Sequence, residues 1–158
     1  MMEMLVVFIL IAVLAQVAIV TYRKSIEDSK HDRAKAILQE IAIANQRFRT
    51  DYPSVTIATG RIDNPPAGAQ CVIKKFSTEN VQPSILVACG YLEPRTWWTT
   101  PFTKNDFDYG FSVCGDATGE CEGNLAFMEA LEGAGKYYNE GQTEANRCYY
   151  SEAGGFSC

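Results

Sequence analysis

An uncharged apolar run near the start of the chain constrains the fold more than any other feature. From Met4 to Val20 the sequence contains no Asp, Glu, Lys or Arg, and a single acid, Glu3, stands directly before the run. As a helix the run spans roughly 26 Å, the short end of what crosses a bilayer. An unpaired carboxylate in an apolar medium costs several kcal/mol, so Glu3 requires a partner that neutralises it.

After Tyr22 the apolar residues recur at three- and four-residue steps, which is the period of an amphipathic helix. They are Ile26, Ala34, Ile37, Leu38, Ile41, Ala44, Phe48 and Tyr52. Neither Gly nor Pro occurs before Pro53, which disfavours helical conformation in the residue ahead of it. The pattern therefore predicts one continuous helix ending near Asp51, about 75 Å long at ~1.5 Å per residue.

A helix of this length cannot bury its first half in the rest of the chain. The remaining residues would fold to a diameter of roughly 30 Å, so the first half must protrude while the second half lies against the head. We predict an N-terminal helix over residues 1–52, with an apolar part at 1–22 and an amphipathic part at 23–52. Residues 53–158 form the head.

The head is predicted to be rich in short strands, which makes the fold class α+β, with a small antiparallel sheet packed on the helix. Residues 54–70 carry Gly, Pro and Asn and indicate a surface loop. Residues 125–131 suit either a strand or a short helix capped by Asn124, and we favour the strand. The other predicted strands cover residues 71–76, 84–89, 106–114 and 147–151.

Cysteines are widely spaced, even in number and free of CxxC pairs, which indicates disulfides and an oxidising compartment. Six cysteines allow fifteen pairings. Sequence proximity favours Cys114–Cys121 first and Cys148–Cys158 next. With His31 as the only histidine, a zinc site would need nearly all-cysteine ligation, so we expect no metal and no cofactor, and we place His31 in solvent. The full set is Cys71, Cys89, Cys114, Cys121, Cys148 and Cys158.

The net charge and the sequence motifs exclude several classes of function. The net charge of −5 argues against binding nucleic acid or an anionic membrane face. No GxSxG, P-loop, HExxH or dinucleotide motif occurs, so we expect no enzyme. The tryptophan pair Trp97–Trp98 indicates one ring in the core and one at its rim, or a contact patch. One loop is acidic, and we interpret it as a solvated turn rather than a calcium site. Its residues are Asp116, Thr118, Glu120 and Glu122.

Membrane topology is contradictory in this sequence. No basic residue precedes the apolar run and no small-x-small pattern follows it, so we expect the segment to be retained. Arg23 and Lys24 follow the run, which by the positive-inside rule leaves the cysteines in the cytoplasm, whereas disulfides require the opposite. Either a basic leader has been removed by processing, or the segment packs against copies of itself.

The order of these features resembles the type IV pilin family: a glutamate, an apolar helix, a tyrosine, an amphipathic helix ending at Tyr-Pro, and a cysteine-bearing head. Glu3 falls on the pilin glutamate, Met4 to Ile19 on its apolar stretch, and Tyr22 on the aromatic that follows. Two residues precede Glu3 where four are usual. Ala12 and Val20 stand where most pilins have helix-breaking Gly and Pro.

The resemblance implies a structural subunit of an extracellular type IV pilus, or fimbrium, used in adhesion, motility or surface attachment. Copies would assemble through a helical bundle after residing in the inner membrane, where an assembly machinery acts on them. In pilins the glutamate pairs with the N-terminal amine of a neighbouring subunit, whereas outside a filament it would reach the lipid headgroups. The residues expected to mediate assembly are Glu3, Met1, Phe8, Leu14 and Tyr22.

Two alternatives remain open from the sequence. One is a pseudopilin of a type II secretion system, which has the same helix and a shorter, usually calcium-bound head. The other is a membrane-anchored extracellular binding module that works as a monomer.

Overall fold

The structure is a computed structural model. It describes residues 2–66, 69–73, 80–95, 98, 108–115, 121–142 and 144–158, with only the backbone described at residues 2, 3, 5, 132, 133 and 144. The molecule is α+β, as predicted: a long N-terminal helix packs on an antiparallel sheet that carries three disulfides.

One uninterrupted helix, α1, runs from Met2–Asp51 over 50 residues. Its end lies next to Pro53, where the Tyr52 amide makes the last helical hydrogen bond, to the Phe48 carbonyl at 2.9 Å. Pro53 supplies no N–H to continue the ladder. The predicted continuous helix is therefore confirmed, and no Gly or Pro gives it a cause to kink.

The head is built on a five-stranded antiparallel sheet in the order β2-β4-β5-β6-β7. A second sheet pairs β1 with β3 in parallel. Within the described residues, the head also contains the short helix α2 and 3₁₀ helices at Glu132–Tyr137 and Glu144–Asn146. The strands are β1 (Thr56–Ile57), β2 (Gly60–Arg61), β3 (Asn80–Val81), β4 (Tyr109–Val113), β5 (Asn124–Ala130), β6 (Arg147–Ser151) and β7 (Phe156–Ser157); α2 is Ile85–Ala88.

The second half of α1 contributes to the core of the head, where it packs mainly on β5 and also on the 3₁₀ helix Glu132–Tyr137 and on β4. The buried stripe of α1 repeats at steps of three and four residues, so the same face meets the sheet over five turns. Its central members are His31, Ala34, Leu38, Ile41, Asn45 and Phe48.

A buried amide fixes the helix to the ends of two strands. Asn45 is fully buried, and its side-chain amide donates to the carbonyls of Cys114 (2.9 Å) and Leu125 (2.8 Å). One turn later, Arg49 donates to the same Cys114 carbonyl at 2.7 Å and pairs with Glu152 at 2.9 Å. These bonds set the axial position of α1 against the sheet, since an axial shift would break the hydrogen bonds of the buried Asn45 amide and of the Cys114 carbonyl.

Three disulfides join all six cysteines within the head. The two pairs expected from sequence proximity are present, Cys114–Cys121 and Cys148–Cys158. The third joins Cys71 to Cys89 and ties the loop after β2 to the end of α2.

Several local predictions need correction. Residues 84–89 were expected as a strand, but Ile85–Ala88 is helical, because Leu86 and Val87 bury adjacent side chains rather than alternate ones. Residues 71–73 are not in a strand, and 74–76 lie outside the described residues. The predicted loop at 54–70 contains β1 and β2.

Other predictions are confirmed. The ambiguous stretch at 125–131 is a strand, β5, paired on both sides. The strand at 147–151 is β6, and the one at 106–114 is β4 over Tyr109–Val113, with residues 106 and 107 outside the described part of the chain. Trp98 is buried and packs edge-on against Phe111, whereas Trp97 lies outside the described residues.

Gly115 gives a test of this packing. A Cβ built on Gly115 would lie 1.5 Å from the Ile57 carbonyl oxygen, so the loop after β4 approaches the β1 backbone too closely for any side chain. We expect Gly115→Ala to lower the free energy of unfolding by at least about 3 kcal/mol, since backbone rather than a flexible side chain must move. Denaturant unfolding in detergent, followed by tyrosine and tryptophan fluorescence, measures the change.

Gly60→Ala is the matched control. Its Cβ would meet only Pro83 Cγ, at 3.7 Å, which is ordinary contact. The two variants add the same methyl group on neighbouring segments, so equal stabilities would contradict the close approach at Gly115.

Candidate functional site

The first half of α1 presents a long, exposed apolar surface. Over residues 4–20, which we name the apolar segment, every described side chain is exposed, and the large apolar ones range from 50 % at Val7 to 70 % at Met4, Phe8 and Val20. None of the described head residues buries it. The helix is long and apolar enough to cross a membrane by length and composition.

The apolar segment cannot remain in water. Fully burying one large aliphatic or aromatic side chain is worth roughly 1.5–3 kcal/mol. Summed over the segment this is on the order of 20 kcal/mol, which exceeds the usual 5–15 kcal/mol stability of a whole domain. A membrane, a partner protein or other copies of this chain must therefore cover it.

The predicted assembly residues lie along this surface. Phe8 is 70 % exposed, Leu14 69 % and Tyr22 68 %. Glu3 lies in the first turn of α1, with only its backbone described, and Met1 lies outside the described residues. Of the acidic loop, residues 116–120 likewise lie outside the described part, and Glu122 is exposed.

Where α1 leaves the head, polar side chains join the two, and we name this contact the neck. Its members on α1 are Glu27, Asp28, Lys30 and His31, and its members on the head are Asp108, Tyr109, Lys136 and Tyr137. Lys30 pairs with Asp108 at 2.8 Å, and the Tyr137 hydroxyl donates to Asp28 at 2.7 Å. Asp28 also pairs with Lys136, which lowers the pKa of Asp28 and raises that of Lys136.

Backbone geometry on the head side of the neck is unusual. Asp108 has φ of 59°, the left-handed region that Asp tolerates better than most residues. Gly135, with φ of 60°, lies against the Glu27 carboxylate, which a Cβ there would meet at 2.5 Å. Both turns therefore bring backbone or side chains up to α1 at this point.

His31 is the buried centre of the neck, which corrects the prediction that it is solvated. Its side chain is 6 % exposed, its ring stacks on Tyr137 with centroids 3.8 Å apart, and its Nδ1 lies 2.8 Å from the Tyr109 hydroxyl. Burial, and then the nearby Lys35, lower the pKa of His31. Burial also raises the pKa of Tyr109.

The position of His31 in the sequence is itself a signal for burial. His31 and Asn45 both fall on the stripe of Ala34, Leu38, Ile41 and Phe48 at three- and four-residue steps. A polar residue on the buried stripe predicts a hydrogen-bonded side chain in the core. Lys136 and Tyr137 give no comparable signal, since their segment has no clear period.

A disulfide adjoins His31. One ring nitrogen of His31 and the sulfur atoms of Cys148 and Cys158 all lie within 4.8 Å of one another. Cys148 is buried and Cys158 is exposed, so the pair connects the neck with the surface.

A shallow groove runs along the exposed side of α1 in the head. It has a volume of about 550 Å³ and is lined by Ile43, Arg47 and Tyr91, among others. The Tyr91 hydroxyl donates to Asp51 at 2.5 Å, and burial with this bond raises the pKa of Tyr91 to about 12.

Comparison of the chain with protein-family models, with curated proteins and with solved structures finds no significant match.

From the burial of His31 in the neck, we predict that the folded, disulfide-bonded protein loses stability as the pH falls. Because the folded state favours neutral His31, the unfolded chain binds more protons as pH falls below its ordinary pKa of about 6.5. Stability is then fully present above that value and declines toward pH 5, by at most about 1.4 kcal/mol per pH unit from this group. Denaturant unfolding at a series of pH values measures the slope.

His31→Gln keeps a polar side chain and removes the titration, so its slope between pH 6.5 and 5 should be shallower than that of the unmodified protein. A variant with an unchanged slope would show that His31 is not the group responsible.

Proposed function

We propose that this chain is a structural subunit of an extracellular filament of the type IV pilus kind. One observation carries the proposal: a continuous α1 projects an uncharged, exposed segment that the described head does not cover, directly after an acidic residue. In a filament, the apolar segments of many copies form the central bundle and the disulfide-bonded heads form the outer wall.

Glu3 supports a repeated contact rather than a simple anchor. A carboxylate in a dry bundle is tolerated when a cation meets it, and breaking such a pair by removing one partner costs about 3–5 kcal/mol. In our proposal the cation is the N-terminal amine of a neighbouring copy. The pairing makes one axial register favourable and leaves every other register with an unpaired charge.

The heads suit the outside of such an assembly. Their core is closed by three disulfides, which resist unfolding where no reductant is present. Before assembly the apolar segment resides in the inner membrane, with Tyr22 at the level of the headgroups and Arg23 and Lys24 just beyond it. Assembly machinery in that membrane would move the subunit from lipid to filament.

A cross-linking experiment tests what covers the apolar segment. A photoreactive phenylalanine analogue at Phe8, in the cells that make the protein, should yield adducts between copies of this chain, because Phe8 is 70 % exposed in the isolated subunit. The matched site is Tyr22, 68 % exposed at the end of the segment. Adducts with lipid alone at Phe8 would overturn the proposal and favour a monomeric anchor, whose binding surface would be the groove beside Tyr91.

The acidic residue gives a second test. Glu3→Gln keeps the side-chain shape and removes the charge, and we expect filaments sheared from cells to fall at least about a hundredfold, since a lost pair of 3–5 kcal/mol corresponds to more than two factors of ten. Electron microscopy and quantitative mass spectrometry of the sheared fraction measure the yield.

Glu140→Gln is the control, because Glu140 is an exposed acid in a turn of the head. Normal filaments from Glu3→Gln, at equal membrane levels of the subunit, would refute the register role. Short assemblies confined to the periplasm would instead favour the secretion pseudopilin.

A further inference from the structure

We propose that His31 and the thiol forms of Cys148 and Cys158 together make a binding site for Zn²⁺, which is closed when the two cysteines form their disulfide. This inference does not rest on filament assembly. It concerns the head before Cys148 and Cys158 are oxidised, or after a dithiol has reduced them.

The donor set is the first support. A His31 ring nitrogen and both sulfur atoms lie within 4.8 Å of one another, although His31 on α1 is distant in sequence from the two cysteines, which are separated by 10 residues. Zinc–sulfur bonds of about 2.3 Å and zinc–nitrogen bonds of about 2.0–2.1 Å place ligand atoms somewhat under 4 Å apart in a tetrahedral site. Reduction frees the two sulfurs to move apart toward that spacing.

The surroundings of His31 are the second support. A metal-ligating histidine usually engages its other ring nitrogen in a hydrogen bond, which fixes the tautomer and the orientation of the ring. Here Nδ1 lies 2.8 Å from the Tyr109 hydroxyl, and the ring stacks on Tyr137 with planes 8° apart. If Nδ1–H donates to Tyr109, Nε2 presents its lone pair to the metal.

Access and coordination number follow from burial. His31 and Cys148 are each 6 % exposed, whereas Cys158 is exposed, so an ion enters from the Cys158 side. Three protein ligands leave a fourth position for water, which indicates an exchangeable ion rather than a closed structural centre.

The chemistry balances in both routes. In a newly made chain both cysteines are thiols already. From the disulfide, a dithiol reductant gives two electrons and two protons to the S–S bond and itself closes to a cyclic disulfide. Zn²⁺ binding then releases the two thiol protons to water, while neutral His31 contributes a lone pair. Metal and disulfide exclude each other, so bound zinc delays the bridge that holds β7.

Cobalt provides the test, because Co²⁺ bound by thiolates absorbs in the near ultraviolet. The full chain in detergent is reduced with dithiothreitol, freed of reductant without oxygen, and titrated with Co²⁺ and then Zn²⁺. We expect one Co²⁺ per chain, displaced by Zn²⁺, and no binding before reduction. Circular dichroism before and after reduction reports whether the head remains folded.

Variants locate the site. Cys148→Ser with Cys158→Ser should abolish the band, whereas Cys114→Ser with Cys121→Ser removes a pair from the other end of β5 and should keep it. His31→Gln should weaken binding by at least about tenfold, the lower limit seen when even an outer-shell partner of a ligand is lost. Unchanged binding in His31→Gln, or in the first double variant, would overturn the proposal. So would a reduced protein that unfolds or shows no band.

Discussion

The contact between one stripe of α1 and the face of β4 and β5 supports the rest of the structure. That stripe supplies the centre of the core, and the same helix carries the apolar segment, which no described residue of the head covers. Head stability and exposure of the segment are therefore linked through one element. Weakening the stripe would release a helix that is apolar at one end and amphipathic at the other.

The neck lies at the boundary between these two halves of α1. Between Val20 and His31, over about three turns, α1 changes from an uncharged exposed surface to a buried stripe, and Asp28, Lys30 and His31 are paired with the head. Lys30 and Asp28 each meet an opposite charge, and burial between two tyrosines lowers the pKa of His31. The head thus begins at a defined point on the helix.

Sequence reasoning predicted what depends on long periodic patterns. The helix, its end before Pro53 and the strand at 147–151 follow from uninterrupted period or alternation, and two disulfides follow from short separations. It failed at 84–89, where four apolar residues suit a helix or a strand equally and packing decided. It missed the neck because Tyr137 and His31 meet only through tertiary folding, although the place of His31 on the stripe was visible.

The absence of a kink-producing residue in α1 has a mechanical consequence. In a straight α-helix the angle about the axis between two side chains is fixed by their separation, at about 100° per residue. Asn45, held by two strand carbonyls, therefore sets the azimuth of Phe8 more than thirty positions away. Rotating the head about the axis of α1 would therefore rotate the apolar segment by the same angle.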